Sequence, residues 1–220
     1  MTLLRIDASI RIDGSVSREL ADTAELAWAA EHPGTAVVRR DLGTRPLPAG
    51  SWPAAISAAL APDAPRTPEQ LAAGALVSAL GDELLAADAV LVSTPLYNFG
   101  VSQHLKAWLD LVLADPRVGP PAQQPLSGTP LILAMARGGG YGPGTPREGW
   151  DHATPWLHRI FGDVLGMDVH LAAAELTLAD VTPEMEELRG LAAESRRTAQ
   201  VTAAEHGAKV AAARTADTAA

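Results

Sequence analysis

Three serines stand close together near the start of the chain, at positions 9, 15 and 17, between an apolar run and an amphipathic one. Hydroxyls at a helix start, beside unpaired backbone N–H groups and the positive end of the dipole, make an anion site. The usual occupant is phosphate, and no lysine is needed. Plain turn chemistry accounts for the same residues, with Ser15 or Ser17 as an N-cap. A second cluster, "PLYNFG", holds one of the chain's two tyrosines and one of its two phenylalanines. Leu96 and Tyr97 suit the face of a flat ring, and Asn98 with nearby N–H groups suits its polar edge. As isolated aromatics, Tyr97 and Phe99 would simply plug the end of a sheet. The third cluster, "RGGGYG", lets a backbone approach closely through its glycines and carries the second tyrosine, Tyr141. Without that tyrosine it reads as a flexible hinge.

Other chemistries fit poorly. No Gly-Lys pair follows the serine turn, which disfavours nucleotide triphosphate hydrolysis. Gly142 and Gly144 are followed by Gly149, with prolines between, so the dinucleotide fingerprint fails. "GVSQH" resembles a nucleophile elbow but has His104 where the elbow needs glycine. Ser102 is then the N-cap of the next helix. None of the six histidines has the i, i+4 spacing of a zinc pair. Asp151 and His152 open a helix, as caps or surface groups. The chain has no cysteine, which removes disulfides, thiolate metal sites and cysteine nucleophiles.

These clusters need a frame. Apolar runs at 2–8, 35–42, 87–95, 129–136 and 167–176 read as strands. Helical spacing covers Val16 to Glu31, a short stretch at 54–60, a run from the Thr67 N-cap to about Ala86, and "SQHLKAWLDLVL". Two more helices are expected from about Trp150 to Leu165 and from Pro183 to at least Thr202. Strands alternating with helices predict an α/β three-layer sandwich around a parallel five-stranded sheet, in the flavodoxin-like order 2-1-3-4-5. Ligands in such folds sit outside the carboxyl ends of the strands. The loops 9–17, 95–101 and 137–146 follow the first, third and fourth strands, which should lie side by side. One domain is expected over 1–205, with 206–220 fraying as a C-terminal tail.

The 220 residues carry a net charge of −9, from 17 basic and 26 acidic side chains. That balance argues against a nucleic-acid partner. No apolar run reaches the roughly 20 residues of a membrane span. Arg5 and Asp7 interrupt the N-terminal apolar stretch, unlike a signal peptide, so a cytoplasmic location is expected.

With "SxxxxxSxS" at 9–17, "PLYNF" at 95–99 and "RGGxY" at 137–141, the chain resembles the FMN-dependent NADH:azoreductases, within the flavodoxin-like quinone reductases. Segments at 41–48, 66–70 and 154–169 extend the likeness over nearly all of 1–190. The resemblance implies a homodimer with two FMN sites at its interface. It also implies a ping-pong cycle in which NADH or NADPH delivers a hydride to the flavin, and a quinone, azo or related small-molecule acceptor removes it. Ser9, Ser15, Val16 and Ser17 would bind the FMN phosphate. Pro95, Leu96, Tyr97, Asn98 and Phe99 would line the isoalloxazine, and Arg137, Gly138, Gly139 and Tyr141 would close its other edge. No side chain need act as nucleophile, because the flavin carries the chemistry.

Two positions depart from the family pattern. Ala136 stands where members commonly have serine, and the 115–128 loop has no aromatic residue where members often have a substrate-capping ring. A specialised biosynthetic flavin reductase acting on a quinone-like metabolite, or a non-catalytic flavin electron carrier, also fits these residues.

Overall fold

The apolar runs form strands β1 (Thr2–Asp7), β2 (Ala36–Asp41), β3 (Ala89–Tyr97), β4 (Gly100–Val101), β5 (Pro130–Ala136) and β6 (Asp168–Ala174). Between them lie helices α1 (Val16–Glu31), α2 (Ser51–Leu60), α3 (Pro68–Leu85), α4 (Gln103–Val112), α5 (Ala153–His158) and α6 (Arg189–Thr218). The structure, a computed structural model, describes residues 1–120 and 122–218, with side chains to residue 212.

The long strands are parallel, in the order β2-β1-β3-β5-β6. With β4 set aside, this is the expected 2-1-3-4-5 order. The sheet has a sixth strand because β3 doubles back on itself: β4 pairs antiparallel with its end, Leu96 facing Val101 and Tyr97 facing Gly100. Two residues carry no alternation, so sequence pattern alone reads them as loop.

Alternation along each strand sends side chains to opposite faces. Leu4, Ile6, Val90, Val92, Leu131, Leu133 and Met135 join Leu80, Leu84, Trp108, Leu109, Leu157 and Phe161 in one buried layer. Leu3, Leu91, Ile132 and Ala134 join Leu20, Ala24 and Trp28 of α1 and Ala199 and Ala203 of α6 in the other. This second layer is rich in alanine on sheet and helices alike (Ala134, Ala172, Ala174), so the abundant alanine lets α1 and α6 sit close to the strands.

Helix starts follow local chemistry. Thr67 accepts from the Gln70 N–H while the Gln70 side chain accepts from the Thr67 N–H, a complete capping box. Ser102 caps α4 by accepting from the Leu105 N–H at 3.3 Å. Two helices differ from expectation. The helix expected from Trp150 begins only at Ala153, because Asp151 Oδ1 accepts from the N–H groups of Ala153 and Thr154 and so caps it there. It then widens into a π-helix over Arg159–Val164. The last helix is preceded by a 3-10 turn, Pro183–Leu188. Helix α6 also stays packed past residue 205: Val210 and Ala211 are buried in the layer with Leu20, Ala24 and Trp28. Residues 219–220 lie outside the described residues.

Candidate functional site

The order β1-β3-β5 sets the ends of three strands side by side, and the loops that leave them meet. At the end of β1, Ala8 donates to Ser93 O of β3 at 2.8 Å. On the other side, the N–H groups of Leu42 and Gly43 both reach Asp7 O, at 2.8 and 3.2 Å. The chain then leaves the sheet at Ser9 and turns into α1.

The serine hydroxyls are buried there. Ser9, Ser15 and Ser17 are 3%, 5% and 1% exposed. Ser15 is the N-cap residue of α1, yet its hydroxyl makes no capping bond; it lies 3.5 Å from the Ser17 hydroxyl. Ser9 Oγ accepts from the Arg11 N–H at 3.2 Å and lies 3.5 Å from the Tyr97 hydroxyl. A buried N-cap hydroxyl at the start of a 16-residue helix is thus left without a capping bond.

A brace outside the cleft holds this turn. Arg18 donates through Nη2 to Ser9 O at 2.8 Å and through Nε to Arg11 O at 3.1 Å. It also pairs with both carboxylate oxygens of Asp41, at 3.0 and 2.8 Å. Burial works against the Arg18 charge, but the bond to Asp41 and the charge of Asp7 outweigh it and raise the pKa. Burial likewise works to raise the Asp41 carboxyl, but the Arg18 bond and the Thr44 N–H prevail and hold it below the usual range. A carboxyl depressed by folding stabilises the fold above its unfolded pKa of about 3.9, and that stability disappears as pH falls through the lower folded value. Chemical denaturation across pH should therefore show a loss of stability below about pH 4. Asp41→Asn should flatten that loss; an unchanged profile in this variant would remove Asp41 from the brace.

The cleft beside the turn, about 140 Å³ in volume, is walled by Ser9, Ser15, Val16 and Ser17 on one side and by Pro95, Leu96 and Tyr97 on another. Ala136 and Gly138 close it from β5. Asn98 and Phe99 are not in its wall. Their φ angles are +48° and +65°, so they form the two central positions of a tight hairpin turn between β3 and β4, the left-handed conformation that such turns require. Phenylalanine is rare there. The turn carries Phe99 past the Pro95–Tyr97 wall and sets it edge-on to Tyr141, with centroids 6.4 Å apart.

Arg137 is also outside the wall. Its Nη1 donates to Glu175 at 2.9 Å, its Nη2 to Thr154 at 2.9 Å, and its Nε lies 3.0 Å from Asp151. The Glu175 carboxylate in turn accepts from the Tyr141 N–H at 3.2 Å. Arg137 thus shapes the third loop from behind, and Gly139 and Tyr141, like Phe99, lie outside the wall of the cleft.

A family model described as flavodoxin-like fold matches residues 1–200. A protein of Frankia alni named FMN-dependent NADH:quinone oxidoreductase is 41% identical over 88% of this chain and 92% of its own length. The chain belongs to this flavodoxin-like reductase family. A Streptomyces avermitilis protein of the same name is 40% identical over 92% of this chain and 94% of its own. Among solved structures, an FMN-dependent NADH-azoreductase from Bacillus anthracis, in complex with FMN, superposes with a TM-score of 0.76 at 17% identity, covering 96% of this chain and 99% of that one. At that identity the likeness speaks for the fold.

In this member of the family, sequence reasoning missed several cleft residues. Thr177 and Leu178 line the wall opposite the serine turn, and Arg11 and Gly14 complete the turn itself. Thr177 and Leu178 follow β6 and are pulled back toward β5 by bonds from their N–H groups to Arg137 O and Gly138 O, at 3.0 and 3.3 Å. The expected strand order already placed the fifth strand beside the fourth, so the loop after it was a findable fourth candidate. Among the described residues no group of acidic, histidine or cysteine side chains is arranged to hold a metal, and no helix is long and apolar enough to cross a membrane.

Proposed function

We propose that the protein is an FMN-dependent NAD(P)H oxidoreductase that passes electrons to a quinone, azo or related acceptor. The observation that carries this reading is the unused cap: Ser15, whose hydroxyl caps nothing at the start of α1, lines one cleft with the buried Ser9 and Ser17 and with Arg11, and no carboxylate stands in that wall. These groups fit a phosphomonoester. Pro95, Leu96 and Tyr97 continue from it as a wall along which a flat ring lies, and the Asn98–Phe99 turn offers its polar edge.

Hydride uptake from NADH or NADPH and its delivery to the acceptor is the chemistry FMN supplies when bound. The chain's part is to bind and orient. Ser9, Ser15 and Ser17 donate to the phosphate, and the Arg18–Asp41 brace keeps their turn in place. Ala136 contributes a methyl group where a serine would bring a hydroxyl.

We further propose a cytoplasmic homodimer. Support comes from the size of the cleft: about 140 Å³ in one copy is below the roughly 300–1,000 Å³ of ordinary small-molecule sites. The ring end therefore lies out over the Phe99 rim, where a second copy can close it.

Addition of FMN to the purified protein should give a bound-flavin spectrum, and NADH or NADPH alone should then remove the visible absorbance, which a quinone restores. A protein that holds no flavin after reconstitution sinks the reading. Ala136→Ser should shift the flavin potential, measured by spectroelectrochemistry; an identical potential takes residue 136 away from the ring.

A further inference from the structure

We propose that Arg147 and Trp150 form a subsite beside the Phe99 turn that selects planar aromatic acceptors bearing a negative charge. The proposal rests on the reductase reading above and assigns the acceptor's class within that same site.

The third loop carries more than its glycines. Phe99 meets Trp150 edge-on, with centroids 5.3 Å apart and planes at 83°. The Arg147 guanidinium carbon lies 5.9 Å from the Phe99 centroid. A Cβ at position 139 would sit 2.8 Å from Arg147 Nη1, so the guanidinium uses space that the glycine leaves open. The cluster is tied to the hairpin because the His152 N–H donates to Phe99 O at 3.0 Å. Trp150 is nevertheless 51% exposed. A large ring held at a rim by an edge contact, with its face open, is placed to stack on a ligand ring.

Charge points the same way. Every acid near the loop is already engaged: Glu148 accepts from the Gly144 N–H, Glu175 is bonded to Arg137 and the Tyr141 N–H, and Asp151 pairs with Arg137 and caps α5. Arg147 makes no ion pair among the described residues; it lies over the Phe99 ring, in the space that Gly139 leaves open. In a chain of net charge −9, the loop thus offers an anion one guanidinium that no carboxylate holds among the described residues. A guanidinium fork suits a sulfonate or carboxylate, and it loses little in contact with an aromatic face. The 115–128 loop offers no ring, so the aromatic wall is supplied from residues 141–150 instead.

The test compares 1,4-naphthoquinone with its 2-sulfonate as acceptors for the FMN-loaded full chain. The ratio of kcat/KM, sulfonate over neutral, should fall about tenfold in Arg147→Gln, the loss of one charge-assisted contact, and largely recover in Arg147→Lys. Both acceptors draw on the same flavin, so a general loss of folding or cofactor leaves the ratio alone. An unchanged ratio in Arg147→Gln overturns the proposal, as does a change seen only in the NADH half-reaction. Trp150→Leu should lower kcat/KM for both quinones several-fold and Trp150→Phe should restore it; wild-type values in Trp150→Leu overturn the stacking role. Calorimetry with redox-inert naphthalene-2-sulfonate gives an independent arm: Arg147→Gln should bind it about tenfold more weakly. Equal affinity, or no binding to the wild type, overturns the subsite. If the chain never takes up FMN, the reductase reading falls while this binding arm still decides the subsite.

Discussion

Gly43→Ala is expected to abolish stable FMN binding and to lower stability by about 3 kcal/mol, the upper end of overpacking costs. The added Cβ would lie 1.9 Å from the Ser9 carbonyl oxygen and 2.6 Å from its carbon, so backbone meets backbone. Neither side can yield freely. Arg18 holds Ser9 O at 2.8 Å and its Nη2 would itself lie 3.1 Å from the new Cβ, and Gly43 is anchored through its N–H to Asp7 O. Relief must come from moving the serine turn, which carries the hydroxyls proposed to hold phosphate. The requirement for glycine here is one of space, since Gly43 does not occupy the left-handed region. In a chain of this length the midpoint should drop by about 6–12 °C. Thermal unfolding and the flavin content of purified protein are the measurements. A variant with wild-type midpoint and full flavin would show that the two segments can part without cost.

Trp108→Ala should cost about 3–5 kcal/mol in urea unfolding, as expected for removal of a fully buried large ring. Trp108 is 0% exposed and packs in the layer with Leu105, Leu109 and Val112 beneath β3. Its indole N–H has no acceptor among the described residues, and a buried unsatisfied donor itself costs about 1–3 kcal/mol. Trp108→Phe removes that penalty along with part of the ring, so the two effects offset and the net loss should stay below about 1.5 kcal/mol. Equal losses for the two variants would mean that the N–H is satisfied in solution. Helix α4 starts directly after the Phe99 hairpin, so the alanine variant should also loosen the rim of the cleft.

Most of the frame was legible because its causes are local. The unbroken apolar runs in "ADAVLVSTP" and "TPLILAMA" mark strands buried on both faces, and the structure buries every residue of β5. Thr67 and Ser102 cap the helices they precede. The serine turn and the Pro95–Tyr97 wall were readable for the same reason: short motifs, each at the end of a recognisable strand.

What stayed hidden depends on pairing at a distance. Arg18 and Asp41 are 23 residues apart, and nothing in either segment announces the other. Thr177 and Leu178 enter the cleft only because β6 lies in register with β5, Ala136 beside Ala174. Trp150 reads as the first residue of a helix; the cap at Asp151 starts that helix only at Ala153 and leaves the indole outside it, where it meets Phe99. Local pattern was enough for which elements form and for the order of the sheet, because these follow from periodicity, caps and residue type. The tertiary structure decided which side chains face that cleft, which brace it from behind and which stand at its rim, because those roles depend on register and on where each loop is tied down.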